Sequence, residues 1–298
     1  DLGTIGAGLS IAIANVLLPT VVRIQFPKRV ALVTGAYTTL LAVSACLAAS
    51  IAVPTSNLLG GWNPALAIWI LPAVIAILLW LPQIHGQEAH VAQPAHAAAE
   101  EKAAVMRSPI SWAIVGFFGI QSLGFYALLG WMPSALTSIG VTPQDAGNYL
   151  GFASAIGIPS GLVISSLLGR FKSLSWWAAG TSAMTLLGNI VFTLVLQTHD
   201  TALLILGCVL IGLGMSATFP ISLSLISSRA STSAQTTQLS AMSQGWGYLL
   251  AATGSFMVGF VANLVGSFAL SFAIITTLTL IQTGIGFYAG RPGIIPAK

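Results

Sequence analysis

Nine apolar stretches, each about one bilayer thickness long, dominate the sequence. They cover residues 2–22, 30–53, 64–82, 109–132, 147–168, 174–197, 201–227, 237–262 and 267–290. A helix needs a run of about 20 apolar residues to cross the hydrocarbon core of a membrane. Only 5% of the residues are charged, whereas a soluble domain carries roughly a quarter. The sequence therefore predicts an all-α polytopic membrane protein.

The ten basic residues all fall in alternate loops between the predicted spans or after the last span. They are Arg23, Lys28, Arg29, Lys102, Arg107, Arg170, Lys172, Arg229, Arg291 and Lys298. The opposite loops offer only Asp145, His199 and Asp200 as ionisable groups. Since Lys and Arg concentrate in cytoplasmic loops, the basic side is predicted to be cytoplasmic, with the C-terminus inside. The isoelectric point near 9.3 then reflects topology and not nucleic-acid binding.

Residues 83–107 form the long polar stretch of the chain and predict a cytoplasmic linker. Its centre, AAAEEKAAVM, has high helix propensity, so the linker is expected to be partly helical. His85, His90 and His96 are spaced five and six residues apart and do not share one helix face. No metal site is expected there, and no cofactor elsewhere.

The stretch from Ser111 to Pro133 is apolar but carries polar side chains at its middle, where lipid offers no hydrogen-bond partner. At about 100° per residue, one arc of about 140° holds Phe118, Gln121, Ser122, Phe125 and Tyr126. This arc is predicted to face protein or a water-filled cavity. Its polar groups either contact a solute or form interhelical hydrogen bonds. The same two alternatives apply to Asn15 in the first span.

No Asp, Glu, Lys, Arg or His lies near the middle of a predicted span. Proton-coupled carriers place an ionisable relay within the membrane, so coupling is either absent or located elsewhere. A neutral cavity suits a small, uncharged or weakly polar solute. An intramembrane hydrolase would need a Ser-His pair, paired Asp residues or a metal cluster at membrane depth. None of these hydrolase patterns occurs within the predicted spans. A channel would need a ring of charged residues or a repeated filter loop, and the sequence contains neither of these.

Spans one and two echo spans seven and eight in the order of their landmarks. In each pair, two glycines precede a proline and an arginine follows. After the arginine comes a glycine shortly before a tyrosine, Gly35 and Tyr37 in the first pair and Gly245 and Tyr248 in the second. Parallel halves of this kind are typical of transporters. If the half after the linker has six spans, the half before it lacks three. We therefore expect the chain to be the C-terminal three quarters of a twelve-span protein.

Four stretches resemble the cyanate and nitroimidazole transporter family of the major facilitator superfamily. They are IAIANVLLPTVVRIQFPKRVALVTGAYTT, GWNPALAIWILPAVIAILLWLPQ, FFGIQSLGFYALLGWMPSAL and QTTQLSAMSQGWGYLLAATG. The resemblance implies the major facilitator fold, with nine of an expected twelve helices present. Residues 1–82 would then be the remainder of the N-terminal bundle, with three spans. Residues 83–107 would be the linker, and residues 108–298 the C-terminal six-helix bundle.

The resemblance also implies which spans face the solute. Spans one, four and seven would line a central cavity, and spans two, five and eight would form the moving interface. The expected substrate-binding residues are Asn15, Phe118, Gln121, Ser122, Phe125 and Tyr126. The expected interface or gating residues are Tyr37, Gly169, Arg170, Gln238, Gln244 and Trp246. Gly169 and Arg170 are what remains here of the superfamily's Gly, Asp and Arg loop motif.

The expected function is secondary transport of a small solute across the bacterial inner membrane by alternating access. The solute would be a small anion such as cyanate or a nitroimidazole-like molecule. The alternatives are a multidrug-type efflux carrier and, after it, a channel or an intramembrane enzyme. The expected partners are the solute, the lipid bilayer and a proton or other coupling ion, without nucleic acid, and the protein is expected to be a monomer.

Overall fold

The protein folds as a set of packed helices in a computed structural model that describes residues 2–26, 29–82, 102–171 and 173–295. Within those ranges there is no β-strand. The helices are α1 (Leu2–Gln25), α2 (Val30–Leu58), α3 (Trp62–Ala67), α4 (Ile70–Trp80), α5 (Pro109–Ser138), α6 (Pro143–Leu167), α7 (Ser175–Thr198), α8 (Thr201–Arg229), α9 (Ser233–Val265) and α10 (Phe268–Ala289). A 3₁₀ turn, Leu168–Arg170, follows α6, and residues 102–107 are helical.

No predicted span extends more than two residues beyond its helix or, for the third span, beyond the α3–α4 pair. Seven helices of the described residues are long and apolar enough to cross a membrane, including Trp62–Trp80 as one unit. An eighth is counted if the pair Leu32–Ala45 and Ser50–Leu58, bent by 43°, forms a single span. Pro54 lies just beyond this bend and removes one backbone donor from α2. The remaining predicted span corresponds to α1, whose apolar helical part is the shorter segment Ile5–Asn15.

Polar caps set several helix ends outside the apolar runs. Thr142, Asp200, Thr232 and Ser267 each accept a hydrogen bond from a backbone N–H in the first turn of the following helix. Such side chains replace the carbonyl partners that the first turn lacks. The helix α9 therefore begins at Ser233, four residues before the apolar run that predicted it.

The helices α5 to α10 form a bundle whose walls meet at small residues. On α6, a Cβ added to Gly157 would lie 2.5 Å from the carbonyl oxygen of Gly212 on α8. On α9, a Cβ added to Gly247 would lie 2.6 Å from the Phe118 ring of α5. These positions have no room for a side chain, so the backbones of neighbouring helices approach closely.

The helices α1 and α2 pack against this bundle at two different places. The helix α1 contacts α9, and α2 contacts α6. A Cβ added to Gly35 on α2 would lie 2.9 Å from the Ser165 hydroxyl oxygen on α6. By contrast, α3 and α4 contain no buried residue. The first group of helices, α1 to α4, therefore meets the second group, α5 to α10, through α1 and α2.

A buried arginine ties the helix ends together at the end of the bundle where basic residues gather. Arg229, at the last position of α8, is 6% exposed and donates from Nη2 to the Gly290 carbonyl oxygen at 3.0 Å. The backbone N–H of Leu174 donates to the same oxygen at 3.0 Å. The guanidinium thus lies at the C-terminal ends of α8 and α10, where helix dipoles favour a positive charge.

Candidate functional site

A cavity of about 660 Å³ lies between α1 and α2 on one side and α5, α6 and α8 on the other. Most of its wall is apolar. Its polar lining residues are Asn15, Tyr37, Thr38, Thr39, Ser44, Gln121, Ser122, Tyr126, Ser154, Ser216 and Tyr248. No residue described in this wall carries a charge. Its volume and its mixture of apolar surface with a few polar groups are typical of small-molecule sites.

The helix α5 carries the polar and aromatic arc predicted from the sequence, here called the stripe, and most of the stripe lines this wall. Gln121 and Ser122 are 4% and 3% exposed, and Ser122 Oγ donates to Gln121 Oε1 at 3.3 Å. Phe125 and Tyr126 also line the cavity, with their rings edge to face at 5.4 Å. Four of the five stripe residues therefore face the same space.

Phe118, the fifth stripe residue, lies behind the wall. Its side chain is fully buried, and its ring packs edge to face on Tyr248 at 5.5 Å. It also contacts the Phe219 ring at 6.3 Å and abuts Gly247. Phe118 supports two lining residues, Phe219 and Tyr248, and is not itself among the residues that line the cavity.

Asn15 joins the two groups of helices where they meet beside the cavity. Its Nδ2 donates to the Tyr248 hydroxyl oxygen on α9 at 2.9 Å. Its backbone carbonyl oxygen accepts a hydrogen bond from Gln244 Nε2, also on α9, at 2.7 Å. Proline at position 19 has no backbone N–H, so the Asn15 carbonyl lacks its usual helical donor four residues later. Gln244 supplies the missing donor.

Tyr248 is the aromatic centre of the site, although it was not among the residues predicted from the sequence. Its ring lies edge to face with the Tyr126 ring at 6.1 Å. Edge-to-face pairs of this kind add stability beyond the burial of their surface. Tyr248 therefore contacts Asn15 of α1 through its hydroxyl and Tyr126 of α5 through its ring.

The predicted interface residues occupy different places. Tyr37 lines the cavity, and Gln244 contacts α1. Gln238 and Trp246 line a separate cavity of about 260 Å³ beside residues 102–106. Gly169 and Arg170 are exposed in the 3₁₀ turn after α6.

Ser154 on α6 and Ser216 on α8 are lining residues that sequence reasoning missed. Both lie beside the crossing at which Gly157 and Gly161 of α6 face α8. The spacing of small residues four apart on α6 was a usable signal, because it marks helices that pack closely. Pro220 also frees the Ser216 carbonyl oxygen, which lies 3.0 Å from a Cβ added to Gly161.

No group of three or more His, Cys, Asp or Glu side chains is close enough to hold a metal ion in the described part of the chain. The three histidines considered from the sequence, residues 85, 90 and 96, lie outside the described residues. The cavity therefore offers hydrogen bonds and ring faces, and its described groups contain no metal ligand set.

Comparison with known proteins identifies related transporters. A family model described as Major Facilitator Superfamily matches residues 2–255. The 2-nitroimidazole transporter of Escherichia coli (strain K12) is 33% identical over 289 residues, covering 97% of this chain and 72% of that protein. The uncharacterized transporter YycB of Bacillus subtilis (strain 168) is 30% identical over 291 residues, covering 97% and 70%. The cyanate transport protein CynX of Escherichia coli (strain K12) is 26% identical over 266 residues, covering 89% and 67%.

Proposed function

Since the chain belongs to the Major Facilitator Superfamily, we propose that its central cavity carries a small, planar, uncharged solute by alternating access. The family membership supports a secondary transporter of small solutes. A nitroimidazole-like heterocycle is the proposed solute, and a small anion such as cyanate is the second candidate. Both chemistries come from the names of related proteins, so the cavity itself has to discriminate between them.

The observation that favours the heterocycle is the neutral, aromatic wall. The lining combines Gln121, Ser122 and Asn15 with the rings of Tyr126 and Tyr248, and no described lining residue is charged. A flat ring with one polar substituent matches this wall through stacking and hydrogen bonds. A bare anion in a cavity without positive charge would remain unpaired, which is costly in a low-dielectric site.

The proposed motion is a rocking of two helical bundles about this cavity. Residues 1–82 belong to one bundle and residues 108–298 to the other, joined by the linker 83–107. The contacts between them include the α1–α9 and α2–α6 pairs and the less extensive α1–α8 and α2–α8 pairs, and the cavity lies between them. Carriers of this class place the solute near the membrane midplane between two such halves.

The proposed orientation places the basic end on the cytoplasmic side of the bacterial inner membrane. Arg107, Arg170, Arg229 and Arg291 lie at or beside helix ends on one side of the bundle, whereas Asp145 lies at the other. The excess of basic residues in cytoplasmic loops supports this direction. The C-terminus would then be cytoplasmic.

The decisive experiment is flux of 2-nitroimidazole and of cyanate into liposomes that contain the intact protein. Saturable 2-nitroimidazole flux is expected. Gln121→Ala should lower that flux about three- to tenfold at low solute concentration, since it removes a hydrogen-bonding group from the wall. Tyr126→Phe should lower it in the same way.

The matched controls are Gln282→Ala and Tyr288→Phe, which remove the same groups outside the cavity. Gln282 is buried on α10 and donates to Ser182 Oγ at 3.3 Å, and Tyr288 is exposed on α10. If Gln121→Ala and Gln282→Ala have equal flux, the α5 stripe is not part of the solute site. Conductance that does not saturate would show a channel instead of a carrier.

A further inference from the structure

Two hydrogen bonds join α1 to α9, and one of them lies in the wall of the cavity. Asn15 Nδ2 of α1 donates to the Tyr248 hydroxyl oxygen of α9 at 2.9 Å. Both residues line the cavity. The second contact, from Gln244 to the Asn15 carbonyl, is not available in the same way, because Gln244 is not among the lining residues. Of these two bonds, the one between Asn15 and Tyr248 therefore lies at the cavity surface.

The N-terminal part of α1 adds little to the attachment of this helix to α9. A Cβ added to Gly3, Gly6 or Gly8 would meet no atom within 4 Å. Leu9 and Ile13 are each 61% exposed. The attachment of α1 to α9 is therefore concentrated in the part of the helix that contains Asn15.

The Tyr248 hydroxyl has a limited capacity for partners. A phenol offers one O–H donor and an oxygen that accepts. In the structure the Tyr248 oxygen accepts from the Asn15 amide, and the Tyr248 ring lies edge to face with the Tyr126 ring. A solute that donates an N–H to Tyr248 must therefore compete with the Asn15 amide. Success in that competition breaks the bond between the bundles.

We propose, on the premise of the carrier function above, that Tyr248 is an exchange point. A ring N–H of the solute replaces the Asn15 amide on the Tyr248 hydroxyl and thereby releases α1 from α9. A ligand shifts a conformational equilibrium only by its difference in affinity between the two states. The exchange supplies that difference. While the bundles are joined, the solute has to break the Asn15–Tyr248 bond before it can bind Tyr248. Once the bundles have separated, it binds Tyr248 without breaking any bond.

The proposal predicts an unusual sign for one substitution. Asn15→Leu removes the competitor, so the intact protein should bind 2-nitroimidazole about threefold more tightly, as expected for one interhelical hydrogen bond. Tyr248→Phe should weaken binding about tenfold and should abolish the effect of Asn15→Leu in the double variant. The analogue 1-methyl-2-nitroimidazole, which lacks the ring N–H, should bind with an affinity that Asn15→Leu does not change.

The matched control is Asn189→Leu. Asn189 is a buried asparagine that donates to Thr279 Oγ1 at 3.0 Å, between α7 and α10, and it is not part of the cavity wall. This variant should lose stability without tighter binding. If Asn15→Leu and Asn189→Leu change affinity equally, or if the effects of Asn15→Leu and Tyr248→Phe simply add, the exchange is wrong.

A second readout follows the separation of the bundles directly. Ser165 is 3% exposed opposite Gly35 at the α2–α6 contact, and its hydroxyl has no hydrogen-bond partner among the described residues. A single reporter thiol is introduced as Ser165→Cys in a protein carrying Cys46→Ser and Cys208→Ser. Adding 2-nitroimidazole should speed alkylation at position 165, and Asn15→Leu should speed it without solute. If the alkylation rate changes neither with 2-nitroimidazole nor with Asn15→Leu, the exchange is wrong.

The outcomes separate this proposal from the one on which it rests. If the protein without substitutions at positions 15 and 248 binds no 2-nitroimidazole, the proposed solute is wrong, and the exchange falls with it. If that protein binds and transports the solute but affinity and alkylation ignore Asn15, the carrier function stands and the exchange alone is wrong.

Discussion

Replacing Gly157 by alanine tests whether the close crossing of α6 and α8 builds the cavity wall. The added Cβ would lie 2.5 Å from the Gly212 carbonyl oxygen and still closer to the Ser216 hydroxyl. The Ser216 side chain can rotate away, but the Gly212 carbonyl belongs to the α8 backbone. An ordinary contact of about 3.4 Å then requires the two helices to separate locally by roughly 0.9 Å.

The magnitude follows from two opposing terms. Overpacking of a close-packed interior costs about 1–3 kcal/mol. Alanine gains about 0.5–1 kcal/mol over glycine inside a helix, because it restricts the unfolded chain more. The difference between the midpoints of the two terms is a net loss of about 1 kcal/mol in the free energy of unfolding for Gly157→Ala.

Thermal unfolding in detergent, followed with a thiol-reactive dye, measures this loss. Cys208 on α8 is fully buried, so its thiol reports when α8 leaves the bundle, and Cys46→Ser removes the second thiol. Gly180→Ala on α7 is the control, since a Cβ there meets no atom within 4 Å. That control should be as stable as the unchanged protein or more so. The reasoning is refuted if Gly157→Ala melts at the same temperature as Gly180→Ala.

Two further substitutions address the bundle away from the cavity. Arg229→Met should lower the melting temperature by about 4 °C or more, because it removes a charged donor to the Gly290 carbonyl. Arg170 is exposed, so Arg170→Met should leave the melting temperature unchanged. Equal melting temperatures of the two variants would contradict this prediction. Trp131→Phe should cost about 1 kcal/mol, because its Nε1 donates to the Ser255 carbonyl at 2.8 Å. Trp176→Phe, at a side chain 77% exposed, is its control, and equal losses would count against that bond.

The helices were predictable because a membrane leaves few choices. A long apolar run has to satisfy its backbone hydrogen bonds internally, so every predicted span is helical over nearly its whole length. The helix ends were less predictable. The helix α9 starts at Ser233 because Thr232 caps a polar first turn, and a search for apolar runs does not register polar turns.

The candidate site shows what helical periodicity can and cannot supply. Periodicity placed Gln121, Ser122, Phe125 and Tyr126 on one face of α5, and all four line the cavity. Phe118 has the same angular position but lies deeper, against Gly247 and Tyr248. An angle around a helix axis does not fix the depth along it, nor does it identify the neighbouring helix.

The sequence by itself determined that this protein is a bundle of membrane helices with its basic residues in alternate loops and no charged residue near the middle of a span. Those properties depend on local composition and on the energetic demands of lipid. The tertiary structure alone decided that Asn15 contacts Tyr248, 233 positions later in the chain. It also decided that Gln244 donates to the Asn15 carbonyl oxygen, which lacks its helical donor because residue 19 is proline. A buried amide needs some partner wherever it lies. Which group becomes that partner depends on how distant helices pack, and a single stretch of sequence does not contain that information.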